Sequence, residues 1–120
     1  MSWPKELRFQ LLGPFPMSFE TGEQTATKIY ANHRLRITKV RSIVRKALSA
    51  TDAGTITVAS TAGTMATISH PASSALNSEQ SADADTTKNL IAKGGYLTVT
   101  AAKTTVGGKV LVTIEAEREI

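Results

Sequence analysis

Alternation of apolar and polar residues dominates the chain from Thr27 onward and predicts β-strands rather than helices. Two alternating β-branched runs near the C-terminus are joined through Gly107-Gly108, a pattern typical of a tight hairpin because glycine supplies the positive φ of the turn. Glycines also precede the runs that start at Thr55 and Thr64. The pattern therefore predicts an all-β protein, an antiparallel two-sheet β-sandwich of jelly-roll type with about seven or eight strands.

The predicted strands are 27–31, 35–48, 54–59, 64–69, 86–92, 96–103 and 109–117. Segment 71–77 is compatible with a single helical turn, and 78–85 is predicted to be a polar surface loop. The segment 35–48 is ambiguous, since its second half also has apolar residues at helical spacing with Arg41 and Arg45 on the opposite face. Its β-branched content favours a long bent strand, with a β-bulge between Ile37 and Val40 where the apolar phase shifts.

Residues 1–25 differ in composition from the remainder, because they hold four of the six aromatic residues and three of the four prolines. Gly13-Pro-Phe-Pro16 is incompatible with a helix or a central strand, since proline donates no hydrogen bond. Either 5–12 is an edge strand whose aromatic neighbours cap the core, or the segment is an extended arm that docks elsewhere. We predict an N-terminal arm at 1–25 and a single β-sandwich domain at 26–120.

The composition indicates one domain of 120 residues with a core large enough to need no covalent cross-links. Cysteine is absent, which excludes disulfides, thiolate catalysis and cysteine-rich zinc sites. Neither a signal peptide nor an apolar run of membrane-spanning length is found, so we expect a soluble protein with no membrane partner.

Positive charge is concentrated in the first part of the chain. Residues 1–48 hold nine Lys/Arg and three Asp/Glu, net +6, whereas 49–120 hold five and seven, net −2. Such a segment is either a solvated strand face or a surface that faces an acidic partner. An extended strand divides these charges between two faces, and no aromatic residue lies between Arg34 and Lys46. We therefore expect no nucleic-acid partner.

The residue pattern predicts no enzyme, no cofactor and no metal site. His33 and His70 have no nucleophile or acid at a motif spacing, and His70 is expected to be solvated in a loop. Asp83 and Asp85 lack the remaining ligands of a calcium loop. The alternating glutamates of the last strand are interpreted as a solvent face or an inter-subunit charge ladder (Glu115, Glu117, Glu119).

Four segments carry a resemblance to a known class of protein: Leu35–Val44, Ala47–Thr57, Ile91–Thr98 and Lys103–Glu115. Along the chain the order is a strand, a small-residue turn, a strand that closes a hairpin, a polar loop, and then a glycine turn into the last hairpin. From about Thr21 to Glu117 the chain resembles small tailed-bacteriophage virion proteins of the capsid decoration (cement) or β-sandwich type. These motifs are structural, so the resemblance brings no catalytic residues.

The resemblance implies a structural protein that binds and stabilises the assembled capsid, with the major capsid protein as partner. It further implies a homo-oligomer, with a trimer favoured, located on the outer capsid surface after synthesis in the host cytoplasm. The alternative is a fibre or carbohydrate-binding β-sandwich module of the virion, for which Tyr30 and Tyr96 are the aromatic residues available outside the N-terminal segment.

Eight residues are predicted to contact the capsid or a neighbouring subunit. The aromatic ones are expected to act as anchors, since aromatic residues supply much of the energy of interfaces, and the arginines are expected to steer the protein toward an acidic surface. The predicted interface residues are Trp3, Phe9, Phe15, Phe19, Arg34, Arg36, Arg41 and Arg45.

Overall fold

The computed structural model describes residues 9–20 and 26–118 and contains nine β-strands in these two ranges. The strands are β1 (Phe9–Ser18), β2 (Ala26–Tyr30), β3 (Leu35–Lys46), β4 (Gly54–Ser60), β5 (Gly63–His70), β6 (Glu79–Asp83), β7 (Leu90–Ile91), β8 (Tyr96–Ala102) and β9 (Lys109–Arg118).

The strands form two antiparallel sheets that pack against each other. The sheet called here the front sheet has the order β1-β9-β3-β6, and β7 pairs with the first residues of β3. The back sheet has the order β2-β8-β4-β5. Successive strands therefore cross repeatedly between sheets, which is the jelly-roll arrangement of two Greek keys. The predicted all-β sandwich is confirmed.

The core lies between the sheets and follows from strict alternation along each strand. In β9 every second residue from Val110 to Ala116 is buried, and in β8 the buried positions are Leu97, Val99 and Ala101. Since side chains of a strand point alternately to opposite faces, the remaining positions form the two solvent faces. Each buried Val, Leu or Ile contributes about 1.5–3 kcal/mol to folding.

The segment that the sequence left ambiguous is a strand throughout Leu35–Lys46. It lies between β9 and β6, and its pairing with β9 shifts register between Ile37 and Lys39, as the predicted β-bulge requires. A second shift falls between Val44 and Lys46. The prediction of a long bent strand is confirmed, and β3 is paired on both sides, with β9 and with β6.

The hairpin predicted at Gly107-Gly108 is wrong. β8 belongs to the back sheet and β9 to the front sheet, so residues 103–108 form a loop between sheets. Both glycines do adopt positive φ, 134° and 121°, but the turn redirects the chain across the sandwich. By contrast, Gly63 does close a hairpin, since β4 and β5 pair from Gly54↔His70 to Ser60↔Gly63.

The region 71–92 also differs from prediction. Residues 79–83, predicted as part of a polar loop, form β6, and only Leu90–Ile91 of the predicted strand 86–92 is extended and paired. The segment 71–77 forms turns instead of a helical turn. β6 escapes the hydrophobic pattern because it is an edge strand of exposed and half-exposed residues that pairs with β3 through its backbone.

Residues 9–18, placed in the predicted arm, are incorporated in the sandwich as β1, which pairs with β9 from Phe9↔Glu117 to Ser18↔Lys109. Pro14 and Pro16 are tolerated because β1 is an edge strand. Its inward residue Met17 and the following Phe19 are 1% and 3% exposed. Of the two alternatives, the edge strand is the one observed for these residues, while residues 1–8 lie outside the described part of the chain.

Candidate functional site

The outer face of the front sheet gathers half of the predicted interface residues. Alternation and register place Phe9 of β1 beside Glu117 of β9, and Glu117 beside Arg36 of β3. Arg41 and Arg45 follow on the same face of β3. Residues from three strands, separated by up to about a hundred positions in the sequence, thus form one surface.

An apolar edge runs along β1 on this face. Phe9 and Leu11 are 47% and 54% exposed, and Pro16 is exposed farther along the strand. At roughly 3.3 Å per residue the edge is about 20 Å long. Solvent-exposed aromatic and aliphatic side chains in a row are typical of interaction surfaces rather than of a solvated strand face.

The middle of the face is a network of ion pairs. Arg41 Nε donates to Glu115 Oε2 at 2.6 Å, and its Nη1 lies 3.3 Å from Glu79 Oε1. The hydrogen bond to Glu115 raises the pKa of Arg41 above its usual value. Lys39 and Asp83 form a looser pair at 3.9 Å. Arg41 is therefore held by carboxylates of its own sheet.

A depression of about 620 Å³ opens at the end of this face where β1 ends and β9 begins. It is lined by Pro16, Met17, Ser18, Arg45, Lys109, Val110 and Leu111. Nearby, Glu20 Oε1 accepts from Lys46 Nζ at 2.6 Å and from the Gly108 amide at 3.1 Å. These contacts, the bond from Lys46 first, lower the pKa of Glu20.

The other predicted interface residues do not reach this surface. Phe15 is partly buried and packs against the core, and Phe19 is buried within it, so neither ring is presented on this surface. β1 pairs with β9 on both sides of the register shift between Leu12 and Phe15, so Phe15 and the following Phe19 are turned toward the sandwich interior. Arg34 is exposed in the loop between β2 and β3, away from the others. Trp3 lies outside the described residues.

The back sheet carries a pair of tyrosines whose contact the sequence did not reveal. Tyr30 and Tyr96 are paired across β2 and β8, with ring centroids 5.8 Å apart and planes at 58°. Tyr30 is 64% exposed, and Lys28 Nζ lies 4.6 Å from the centre of the Tyr96 ring. The two tyrosines are sixty-six positions apart, so only the strand register brings them together.

His70 is also not where the sequence suggested. It was expected to be solvated beside Pro71, yet it is completely buried at the end of β5. Its Nε2 lies 2.8 Å from Ser42 Oγ, and burial lowers its pKa. The inward phase of β5, continued through Ile68, determines this position and was available in the alternation of the sequence.

Within residues 9–20 and 26–118, no group of three or more histidine, cysteine or acidic side chains is arranged to hold a metal ion. In the same ranges there is no helix long and apolar enough to cross a membrane.

Comparison with known proteins found neither a matching family model nor a matching curated protein. Two solved structures are similar at low identity. CsCBM6-3 from Clostridium stercorarium, in complex with cellobiose, is 15% identical with a TM-score of 0.41, over 95% of this chain and 90% of that chain. The Clostridium thermocellum xylanase 10B CBM22-1–GH10 modules, complexed with xylohexaose, are 12% identical with a TM-score of 0.38, over 93% of this chain and 26% of that chain.

Proposed function

We propose that this chain is a bacteriophage virion structural protein that binds the outer surface of the assembled capsid and stabilises it. The observation that carries the proposal is the outer face of the front sheet, where exposed Phe9 and Leu11 lie beside a belt of charged side chains. Aromatic and arginine side chains are enriched at protein interfaces. This surface therefore suits a protein partner, and the resemblance described above implies the major capsid protein in that role.

A decoration protein strengthens a shell when it contacts more than one subunit, so it needs either a broad surface or several copies. The solvent face of the back sheet supports the second route. Its positions are mainly uncharged hydroxyl and small side chains: Thr55, Thr57, Ala59, Thr67, Ser69, Thr98, Thr100 and Ala102. Copies of a chain with net charge +4 repel least where they meet through an uncharged face. We infer a homo-oligomer, with a trimer favoured.

The main experiment measures binding to purified capsids that lack this protein, by co-sedimentation and by electron microscopy of the decorated particles. We expect density over the capsomers. The double variant Phe9→Asp/Leu11→Asp is expected to bind at least ten times more weakly. Leu76→Asp is the matched control, because Leu76 is equally exposed, at 56%, but lies in the loop after β5.

Two outcomes contradict the proposal. One is a wild-type protein that fails to bind capsids or is seen only on fibres or the tail. The other is a double variant that binds as well as the Leu76→Asp control. Light scattering that shows only monomer, both alone and with capsid protein, contradicts the oligomer.

A second candidate function is recognition of a carbohydrate, favoured by the exposed tyrosine pair. The CH groups of a pyranose ring stack on aromatic faces, and Tyr30 offers an accessible ring with Tyr96 tilted beside it. The hydroxyl of Thr98, next to Lys28 in the register, supplies a neighbouring hydrogen-bonding group. A glycan array tests this candidate. Binding that is lost in Tyr30→Ala but kept in Phe9→Ala supports it, and an array without binding rejects it.

A further inference from the structure

The depression on the front sheet combines an apolar wall with a cation. Pro16 and Leu111, neighbours in the register of β1 and β9, supply apolar surface. Arg45 lines the same cavity from β3. With about 620 Å³, the depression falls in the range of roughly 300–1,000 Å³ that is typical of ligand sites.

Arg45 differs from the neighbouring cations in its electrostatic surroundings. Arg41 is engaged by Glu115 and Glu79, and Lys46 by Glu20. Arg45 makes no hydrogen bond or ion pair with the residues described, 9–20 and 26–118, and its side chain is exposed. A guanidinium in this setting is available for a carboxylate from another molecule.

Cationic side chains surround the depression. Arg45, Lys46 and Lys109 lie at this end of the sheet, and Glu20 is the carboxylate that faces them there among the described residues. Glu20 is itself held by Lys46 and by the Gly108 amide. An acidic ligand therefore meets the exposed guanidinium of Arg45, which attracts it, whereas a basic ligand is repelled there.

We propose that this depression binds a segment of the capsid subunit in which a carboxylate stands beside an apolar side chain. The carboxylate pairs with the Arg45 guanidinium, and the apolar side chain packs on Pro16 and Leu111. This inference rests on the proposed function and adds to it the chemistry of the partner. It also assigns different roles to the two parts of the face. The apolar edge of β1 supplies contact area, and the depression recognises the charge of the partner.

The test uses capsids that lack this protein and compares three forms of the full chain: wild type, Arg45→Glu and Arg34→Glu. Arg34 is the matched control, because it is an exposed arginine outside the depression and its replacement changes the net charge equally. We expect Arg45→Glu to bind at least ten times more weakly and Arg34→Glu to bind within about twofold of wild type. Circular dichroism establishes that each variant is folded.

Salt dependence supplies the second readout, since a pair between charged groups is screened by ions. Wild-type binding is expected to weaken more steeply with sodium chloride than binding of Arg45→Gln. If wild type binds and both glutamate variants lose affinity equally, binding depends on net charge alone. That result overturns the inference and leaves the proposed function intact. Undiminished binding of Arg45→Glu overturns it as well. Absence of wild-type binding overturns both.

Discussion

His70 and Ser42 form a hydrogen bond across the core of the sandwich, with 2.8 Å between Nε2 and Oγ. His70 ends β5 of the back sheet and Ser42 lies in β3 of the front sheet, and both side chains are buried. His70 Nδ1 has no hydrogen-bond partner among the described residues. Burial disfavours the charged imidazolium and so lowers the pKa of His70 in the folded protein.

This pair makes the free energy of unfolding depend on pH. The unfolded chain protonates His70 near its ordinary value of 6.5, while the folded chain resists protonation. The unfolded state therefore binds more protons below that pH, so stability is full above about 6.5 and falls as the pH decreases. Urea denaturation at pH 7.5 and 5.5 is expected to show a loss of stability that His70→Gln abolishes. His33→Gln is the control, and equal losses in the two variants contradict the assignment.

The case of His70 shows which parts of the structure were predictable. The fold class, the strands β2 to β5, β8 and β9, and the bulge in β3 follow from local alternation, since each depends on near neighbours, whereas the edge strands β1 and β6 were missed. Local pattern also carried the inward phase of β5, yet the proximity of Pro71 suggested a solvated loop. By contrast, the partner of His70 is Ser42, twenty-eight residues away, and only the packing of the two sheets brings the pair together.

The surfaces were predictable to a smaller extent. Phe9 and Phe15 looked equivalent as aromatic residues near prolines, yet the register shift in β1 between Leu12 and Phe15 directs them to opposite sides. Similarly, Arg41 and Arg45 look equivalent in the sequence, where both were placed on one face of the segment. The carboxylates that hold Arg41 come from β6 and β9, so only the sheet pairing reveals them. Composition identified the residue types, and strand register decided which of them face solvent without a partner.

Phe19 is expected to stabilise the fold rather than bind a partner. Its ring is buried, its amide donates to the Gly108 carbonyl, and its carbonyl accepts from Gly107. Phe19→Ala should lower the free energy of unfolding by about 3–5 kcal/mol because a buried aromatic ring is replaced by a cavity. Phe9→Ala, at the exposed start of β1, should change it by about 0.5 kcal/mol or less. Urea denaturation compares them, and equal effects would disprove the assignment.

Asp52 joins two of the loops that cross between the sheets. Its carboxylate accepts from Lys103 Nζ at 2.7 Å and from the amides of Thr104 and Thr105, while the Lys103 side chain has no exposed surface. The bond from Lys103, followed by those from the amides, lowers the pKa of Asp52 to about 2 from an ordinary value of 3.8. This clamp joins segment 47–53 to segment 103–108.

The clamp predicts an acid-sensitive contribution to stability. Because the folded pKa lies below the unfolded one, the contribution is complete above about pH 3.8 and is lost as the pH falls through about 2. Asp52→Asn should unfold at lower urea concentration at pH 7 and show a smaller difference between pH 4 and pH 2. Asp83→Asn serves as control, since the Asp83 side chain is 87% exposed. If both variants behave alike at pH 7, the clamp is not important for stability.

Gly108 has a structural role that goes beyond the turn suggested by the sequence. Its φ is 121°, and an added Cβ would lie 2.9 Å from Leu48 Cδ1 and 3.0 Å from Leu48 Cα. Gly94 has a φ of 82°, but no atom lies within 4 Å of an added Cβ. An alanine at Gly94 therefore tests backbone strain without steric overlap. Gly94→Ala should cost roughly 1–2 kcal/mol from the left-handed backbone alone.

Gly108→Ala should cost at least that backbone strain, since its φ of 121° lies farther from the left-handed helical region, and about 1–3 kcal/mol more, because the methyl group must displace Leu48 from its packed position. The displacement also disturbs the Gly108 carbonyl that accepts from the Phe19 amide, which links the variant to the end of β1. Urea denaturation of the two alanine variants measures the difference directly. An effect of Gly108→Ala no larger than that of Gly94→Ala would show that Leu48 yields without cost and that the close approach does not fix the loop.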